Sequence, residues 1–167
     1  LKADAVVIGG GAAGTLCAAL AAGRGLDVVL LEPNHMLGRK LRITGKGRCN
    51  VTNDCDAREF ISAIPGDGRF LQSAIHKFRP SDTKALFEGL GVALKTERGN
   101  RVFPESDRAD DRADALTKLA RENGVRVLRE RATRILTDEA GAVRAVASGG
   151  GEIECEAAVI CTGGLSY

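Results

Sequence analysis

The sequence predicts an α/β fold with a parallel sheet, inserted helices and a β-meander, on three observations. Residues 3–8 form a β-branched apolar run, typical of a strand buried on both faces, and the glycine-rich residues 9–14 follow at once. A helix predicted over 12–24 and a second buried strand over 27–32 complete a βαβ unit within about 30 residues. After residue 124 the apolar residues change from helical spacing to alternation. This combination is typical of a Rossmann-like fold.

The composition is that of an ordinary globular domain. Hydrophobic residues make up 44% and charged residues 28% of the 167 positions, so the chain can bury a core. With 24 basic and 22 acidic residues, the net charge of +2 indicates no particular partner. No apolar run approaches the roughly 20 residues of a membrane span, and the first residues lead into a strand instead of a signal peptide. We therefore expect a cytoplasmic protein with no membrane partner.

Cysteine and glycine usage narrows the class further. The five cysteines contain no C-x-x-C pair, which argues against a disulfide framework and a zinc site, and we predict no bound metal. Glycine accounts for 21 residues, about one in eight against a usual share of roughly 7%. The glycines cluster at 9–14, 38–47, 149–151 and 163–164. These clusters indicate turns or close backbone contacts that a side chain would not allow.

The middle of the chain contains a long segment without periodicity. Residues 33–68 predict a structureless stretch, which in a compact domain is functional or wrapped around a ligand. Apolar residues at helical spacing then predict helices over 70–78 and 80–90. A small hairpin is predicted from 92–96 and 101–103.

The last third begins with one more helix. Its apolar face runs from Ala113 to Ala120, and the charge run 105–112 is interpreted as a solvated helix start. Alternating segments then predict a β-meander, with strands at 125–128, 131–137, 142–148, 152–155 and 157–161.

The glycine-rich residues 9–14 satisfy the pattern G-x-G-x-x-G. Gly9 permits the tight turn, Gly11 lets the backbone approach a pyrophosphate, and Gly14 allows close packing of helix on strand. Ala12 and Ala13 begin the helix, whose N-terminal N–H groups suit phosphates. At the end of the second strand Glu32 can accept hydrogen bonds from ribose hydroxyls, which disfavours a 2′-phosphate. The motif predicts a dinucleotide but does not choose between FAD and NAD.

A basic loop follows over residues 38–53. It carries five cations and no acid between 39 and 48, which suits a loop laid along a polyanion or an electron-rich ring. A solvated loop and a nucleic-acid patch are the alternatives. No aromatic residue interrupts the cations, which disfavours single-stranded nucleic acid, and we predict no nucleic-acid partner.

Four segments resemble the BaiN-like flavoproteins, also described as aminoacetone-oxidase-type, of the glutathione-reductase-like FAD superfamily. They are GGGAAG at 9–14, GRKLRITGKGRCNVTN at 38–53, RVFPESDRADD at 101–111 and AVICTGGLSY at 158–167. The resemblance covers essentially the whole chain, as one FAD/NAD(P)-binding Rossmann-like domain over 1–167. It also implies a closing FAD segment and a substrate domain beyond residue 167, so the chain is expected to be an inactive N-terminal fragment.

The resemblance also implies positions for the cofactor. The first loop and Glu32 would bind the ADP half of FAD, with Ala132 beside the adenine, where the superfamily usually has valine. Arg39 and Lys40 would flank the diphosphate. Near the isoalloxazine the resemblance places Arg48, Cys49 and Asn50. The strand end that corresponds to the superfamily's A-T-G element is Thr162, Gly163 and Gly164.

The function these observations favour is FAD-dependent oxidoreduction of a small organic substrate. Two sources of electrons stay open: NAD(P)H could reduce the flavin, or the substrate could reduce it with oxygen as the acceptor. Rivals are an NAD-dependent dehydrogenase and a non-enzymatic flavin- or RNA-associated module. We expect Arg48 to stabilise the anionic reduced ring. Cys49 and Cys55 are separated by five residues, where disulfide-reducing flavoproteins have four, which disfavours dithiol catalysis.

Overall fold

The computed structural model describes residues 1–48 and 50–164, and for Gly45 and Lys46 it describes the backbone alone. The chain divides into two compact units, one formed by residues 1–41 and 116–167 and the other by residues 42–115. Each unit is described by itself. The single FAD-binding domain over residues 1–167 stays a prediction.

Ten strands and six helices lie in the described residues. The strands are β1 (Ala5–Ile8), β2 (Val28–Leu31), β3 (Thr52–Asn53), β4 (Leu94–Glu97), β5 (Arg101–Pro104), β6 (Arg126–Leu128), β7 (Ala132–Thr137), β8 (Val143–Ser148), β9 (Gly151–Glu154) and β10 (Ala157–Ile160). The helices are α1 (Ala12–Ala22), α2 (Arg39–Ile43), α3 (Ala57–Ser62), α4 (Gln72–Lys77), α5 (Pro80–Gly89) and α6 (Ala109–Glu122). Short 3₁₀ turns occupy Thr44–Gly47 and Gly68–Leu71. Within the described residues, no helix combines the length and the apolar character that crossing a membrane requires.

The first unit is built on a four-stranded parallel sheet in the order β10-β1-β2-β6. The predicted α/β fold with a parallel sheet is thereby confirmed. One part of the prediction was wrong: the strands expected at 125–128 and 157–161 do not join the meander. They pair with β2 and β1, and the antiparallel meander is β7-β8-β9 alone.

Alternating side chains of the central strands feed two apolar cores on opposite faces of this sheet. On one face Val7 and Leu30 pack with Ala18 and Ala19 of α1. On the other face Val6 and Val29 pack with residues of the meander, among them Val146. All of these strand residues are at most 1% exposed. The sheet is therefore covered by a helical layer on one side and by the meander on the other.

The second unit contains the antiparallel sheet β3-β5-β4. Its β4–β5 hairpin confirms the one predicted, and Asn100 turns it with a φ of 58°. The segment 33–68, expected to be structureless, contains α2, α3 and β3, elements too short to show periodicity. The charge run 105–112 is not fully solvated, because Arg112 is buried to 1% exposure.

Candidate functional site

The turn between β1 and α1 requires glycine at two positions because the surrounding protein backbone leaves no room for a side chain. Gly9 has a φ of +106°, and a Cβ there would lie 2.5 Å from the carbonyl oxygen of Cys161. A Cβ on Gly14 would overlap the carbonyl oxygen of Gly9 and lie 3.0 Å from the Cβ of Cys161. The start of α1 therefore packs directly on the turn and on the end of β10.

Gly11 differs from its neighbours because no protein atom would meet a Cβ placed there within 4 Å. It is the N-cap of α1, and no side chain caps this helix end. Ala12 and Ala13 are exposed, and the first turn carries no acidic residue. An uncapped N-terminus with open space in front of it is a site for an anionic group.

Glu32 is buried and already accepts three hydrogen bonds. Its Oε2 accepts from the Gly10 N–H at 2.8 Å, and its Oε1 accepts from the Asn34 N–H at 2.9 Å and from Asn34 Nδ2 at 2.6 Å. A carboxylate offers about four lone-pair positions, so one is left for a further donor. Glu32 thus stabilises the glycine-rich turn through its hydrogen bond to Gly10, whereas its binding of a ribose hydroxyl stays a prediction.

Two residues of this arrangement were missed in the sequence. Gly10 is buried, and a Cβ on it would lie 2.5 Å from Leu37 Cδ2 and 2.9 Å from the Cβ of Glu32. Asn34 bridges Glu32 to Arg39, whose Nη1 donates to Asn34 Oδ1 at 3.3 Å. Gly10 could have been identified from its place in the middle of three consecutive glycines. Asn34 belongs to no motif that would have predicted its role.

The cations expected beside a diphosphate lie at the start of α2. Arg39 and Lys40 are both exposed, and Arg39 reaches the Glu32–Asn34 group through the hydrogen bond just described. The carboxyl end of β10 also borders the turn, because Thr162 Cα would lie 3.1 Å from a Cβ on Gly9. Gly163 has a φ of +77° and continues this edge with the exposed Gly164.

Ala132 lies apart from these residues, as the first residue of β7. It is half-buried and packs against the core formed with the meander. Nothing in the described contacts links it to the glycine-rich turn, and its place beside an adenine stays a prediction.

Arg48 belongs to the second unit, where its charge is matched by two carboxylates. Its Nε donates to Asp107 Oδ1 at 2.9 Å, its Nη2 pairs with Glu97, and its guanidinium lies 4.4 Å from the centre of the Phe103 ring. Lys95 donates to the other oxygen of Asp107 at 2.8 Å. Hydrogen bonds from Lys95 and Arg48 lower the pKa of Asp107, and the bond from Arg48 lowers the pKa of Glu97.

These ion pairs reduce the charge that Arg48 could offer to a flavin. Two cations, Arg48 and Lys95, face two carboxylates, so the group as a whole carries no net charge. Arg48 beside a reduced ring stays a prediction. Asn50 is exposed, and Cys49 lies outside the described residues.

Cys55 lacks the environment of a redox thiol. Burial and then the neighbouring carboxylates of Glu59, Asp56 and Asp54 raise the pKa of its thiol. A raised pKa keeps sulfur in the unreactive thiol form. Across the residues that the structure describes, no group of His, Cys, Asp and Glu could hold a metal ion.

The first unit therefore fits the ADP part of a dinucleotide. It supplies an uncapped helix N-terminus, open space at Gly11, a buried acceptor at Glu32 and exposed cations at Arg39 and Lys40.

Comparison with known proteins identifies the family of the chain. The sequence matches the family described as HI0933-like protein Rossmann domain over residues 3–167. The ribosomal RNA dihydrouridine synthase of Escherichia coli (strain K12) is 34% identical over 165 residues, 98% of this chain and 40% of the relative. The 3-dehydro-bile acid delta(4,6)-reductase of Clostridium scindens is 34% identical over 125 residues, 72% of this chain and 29% of the relative. The chain thus spans less than half the length of these relatives.

Solved structures support the fold. The 3-ketosteroid-delta4-(5alpha)-dehydrogenase of Rhodococcus jostii RHA1 is 19% identical with a TM-score of 0.76, over 99% of this chain and 47% of that one. At that identity the likeness shows the fold alone.

Proposed function

The chain belongs to the HI0933-like Rossmann-domain family of FAD-binding proteins, and from that premise we propose that the full-length protein is an FAD-dependent oxidoreductase. When bound, FAD supplies hydride transfer, a chemistry that amino-acid side chains lack. Because the chain spans less than half the length of its curated relatives, the activity is proposed for the whole protein.

The turn between β1 and α1 carries this proposal. Gly9 and Gly14 bring the helix N-terminus against the end of the strand, and the space at Gly11 is open. Phosphate oxygens there would accept from the first N–H groups of α1 in the favourable field of the helix dipole. The chain's own contribution is thus to bind and orient the pyrophosphate through backbone groups.

Side chains around the turn would hold the rest of the ADP group. Glu32 keeps one lone-pair position for a ribose hydroxyl while its other positions hold Gly10 and Asn34. Arg39 and Lys40 would balance the charge of the diphosphate. The acidic residue at the end of β2 supports a dinucleotide without a 2′-phosphate at this site.

The substrate we propose is an alkene conjugated with a carbonyl group. Making dihydrouridine adds two hydrogens across the C5–C6 bond of uridine, which is conjugated with the C4 carbonyl. The bile-acid relative acts on a 3-keto compound with conjugated double bonds. Polarisation by the carbonyl makes the β-carbon an acceptor for hydride in both compounds, so one chemistry accounts for two unlike substrates.

We propose NAD(P)H as the source of electrons. The sequence contains no second G-x-G-x-x-G motif, so the nicotinamide would react at the flavin site without a dinucleotide domain of its own in this chain.

The test begins with the visible spectrum of the purified full-length protein. A yellow oxidised flavin should bleach when NADH or NADPH is added under nitrogen. Colour should return on adding a conjugated acceptor, uridine or a 3-keto-Δ4 steroid, and stay bleached with the saturated analogue. A colourless preparation that does not take up FAD, and whose stability rises with NAD, would instead support an NAD-dependent dehydrogenase.

A further inference from the structure

The segment 68–81 of the second unit combines features that the basic loop lacks. It contains Arg69, Lys77 and Arg79 with no carboxylate, and two phenylalanines stand between these cations. The absence of interleaved aromatic residues at 38–53 was the reason for predicting no nucleic-acid partner. That reason does not apply here.

Phe70 is the most exposed large hydrophobic residue of the described chain. Its exposure is 88%, against 8% for Phe87 and 5% for Phe103. Phe78, at the end of α4, is 40% exposed. Single exposed apolar side chains are common on protein surfaces, but a nearly bare phenylalanine ring beside cations offers a flat face on which a nucleic-acid base can stack.

The surroundings of Phe70 are cationic and polar. Together with Phe70, an open depression is lined by Arg69, Gln72, Ser73, His76 and Lys77. No other residue lining the depression is apolar. Lys77 has no acidic partner among the described residues.

Each of the two arginines of the segment forms a two-point ion pair with a nearby aspartate. Arg69, 85% exposed at its side chain, pairs with Asp67, and Arg79 pairs with Asp82. Both guanidinium groups are exposed, so RNA phosphates would compete with these aspartates for them. Lys77 is therefore the cation of the segment that is available without displacing a carboxylate.

We propose that Phe70 and the cations Arg69, Lys77 and Arg79 form a docking surface for single-stranded RNA. A base stacks on the exposed ring of Phe70, and neighbouring phosphates contact the cations. Gln72 and Ser73 supply hydrogen bonds to the base or ribose. This inference rests on the proposed function, because a uridine carried in RNA is one of its two substrate classes.

A membrane surface is the competing partner for basic and aromatic residues. The depression favours RNA, because the residues that line it beside Phe70 are cations and hydrogen-bonding side chains, although Leu71 and Phe78 of the same segment are 37% and 40% exposed.

The test measures binding of the full-length protein to a labelled oligouridine of about 12 nucleotides, by fluorescence anisotropy without reductant. We expect Phe70→Leu to weaken binding at least about five-fold, and Phe70→Tyr, which keeps the ring, to bind as wild type. Lys77→Gln should weaken binding and reduce the slope of log affinity against log salt by about 0.7. Leu26→Ala and Lys118→Gln, at exposed positions elsewhere, are the matched controls.

Three outcomes would overturn the docking surface. One is RNA affinity that is equal in wild type, Phe70→Leu and Lys77→Gln. Another is binding of anionic phosphatidylserine vesicles, but not RNA, that depends on Phe70. The last is a fall of more than about 5 °C in the thermal midpoint of Phe70→Leu with RNA affinity unchanged, since the ring would then be covered by the chain itself.

The proposed function is tested by a separate measurement, the reoxidation of the reduced wild-type flavin by uridine. Failure of reoxidation with Phe70-dependent RNA binding would refute the substrate and leave the docking surface standing.

Discussion

A Cβ on Gly14 would overlap the carbonyl oxygen of Gly9, so glycine alone fits at this position of α1. We expect Gly14→Ala to push the helix from the sheet and lower the free energy of unfolding by about 1–3 kcal/mol or more. Urea unfolding measures this change. A variant as stable as wild type would contradict the packing described.

Gly11→Ala is the matched variant, because its Cβ meets no protein atom within 4 Å. Its φ of −75° suits alanine, and we expect the stability of the apoprotein to change by less than about 1 kcal/mol. FAD affinity should fall at least about ten-fold, because the methyl group enters the space assigned to the pyrophosphate. Titration of apoprotein with FAD measures it, and unchanged affinity would place the cofactor elsewhere.

This pair shows how far the sequence could predict the site. Gly9, Gly11 and Gly14 are recognised because their spacing, between a strand and a helix, is a local pattern. Asn34 was missed because its role comes from the fold, which carries the chain back past the glycine-rich turn. The carboxylate partners of Arg48 could not be predicted, because they lie 49 and 59 residues later in the chain and form no motif with it.

The same distinction holds for the fold. Local alternation identified the strands at 126–128 and 157–160 but not their partners, which lie far away in the chain. Arg112 was expected in solvent because its neighbours in sequence are charged, whereas its burial is decided by tertiary packing.

Glu32→Ala should destabilise the protein with or without cofactor. The buried N–H of Gly10 would lose its acceptor, which costs about 1–3 kcal/mol. Asn34→Ala removes the 2.6 Å bond but keeps the carboxylate and its bonds to two backbone N–H groups, so it should cost less than Glu32→Ala. Urea unfolding of the apoprotein compares them. Equal stability of wild type and Glu32→Ala would leave Glu32 with a cofactor role only.

Acid should destabilise the protein through Asp107 and Glu97. Their pKa values lie below the usual 3.8 and 4.5, so they stabilise the fold above those values and lose that effect as the pH falls through the lowered values. Asp107→Asn keeps a residue that tolerates the φ of 57° and should show a smaller loss of stability between about pH 5 and about pH 3. About 1 M salt should reduce the difference in stability between Asp107→Asn and wild type, because Asp107 is exposed and Glu97 is only partly buried. A pH dependence identical to that of wild type would show that these pairs do not contribute.

Cys55→Ser should leave the flavin-dependent rate within about two-fold of wild type, because the raised pKa of Cys55 keeps its sulfur in the thiol form. Dithiol catalysis would require a thiolate, and removing it would abolish most of the rate. The measurement is the rate of flavin reoxidation by the conjugated acceptor, with iodoacetamide alkylation of native protein as the independent readout. We expect Cys55 to be alkylated more slowly than a cysteine in a short peptide. Fast alkylation together with a large loss of rate in Cys55→Ser would restore the dithiol mechanism that the spacing to Cys49 argues against.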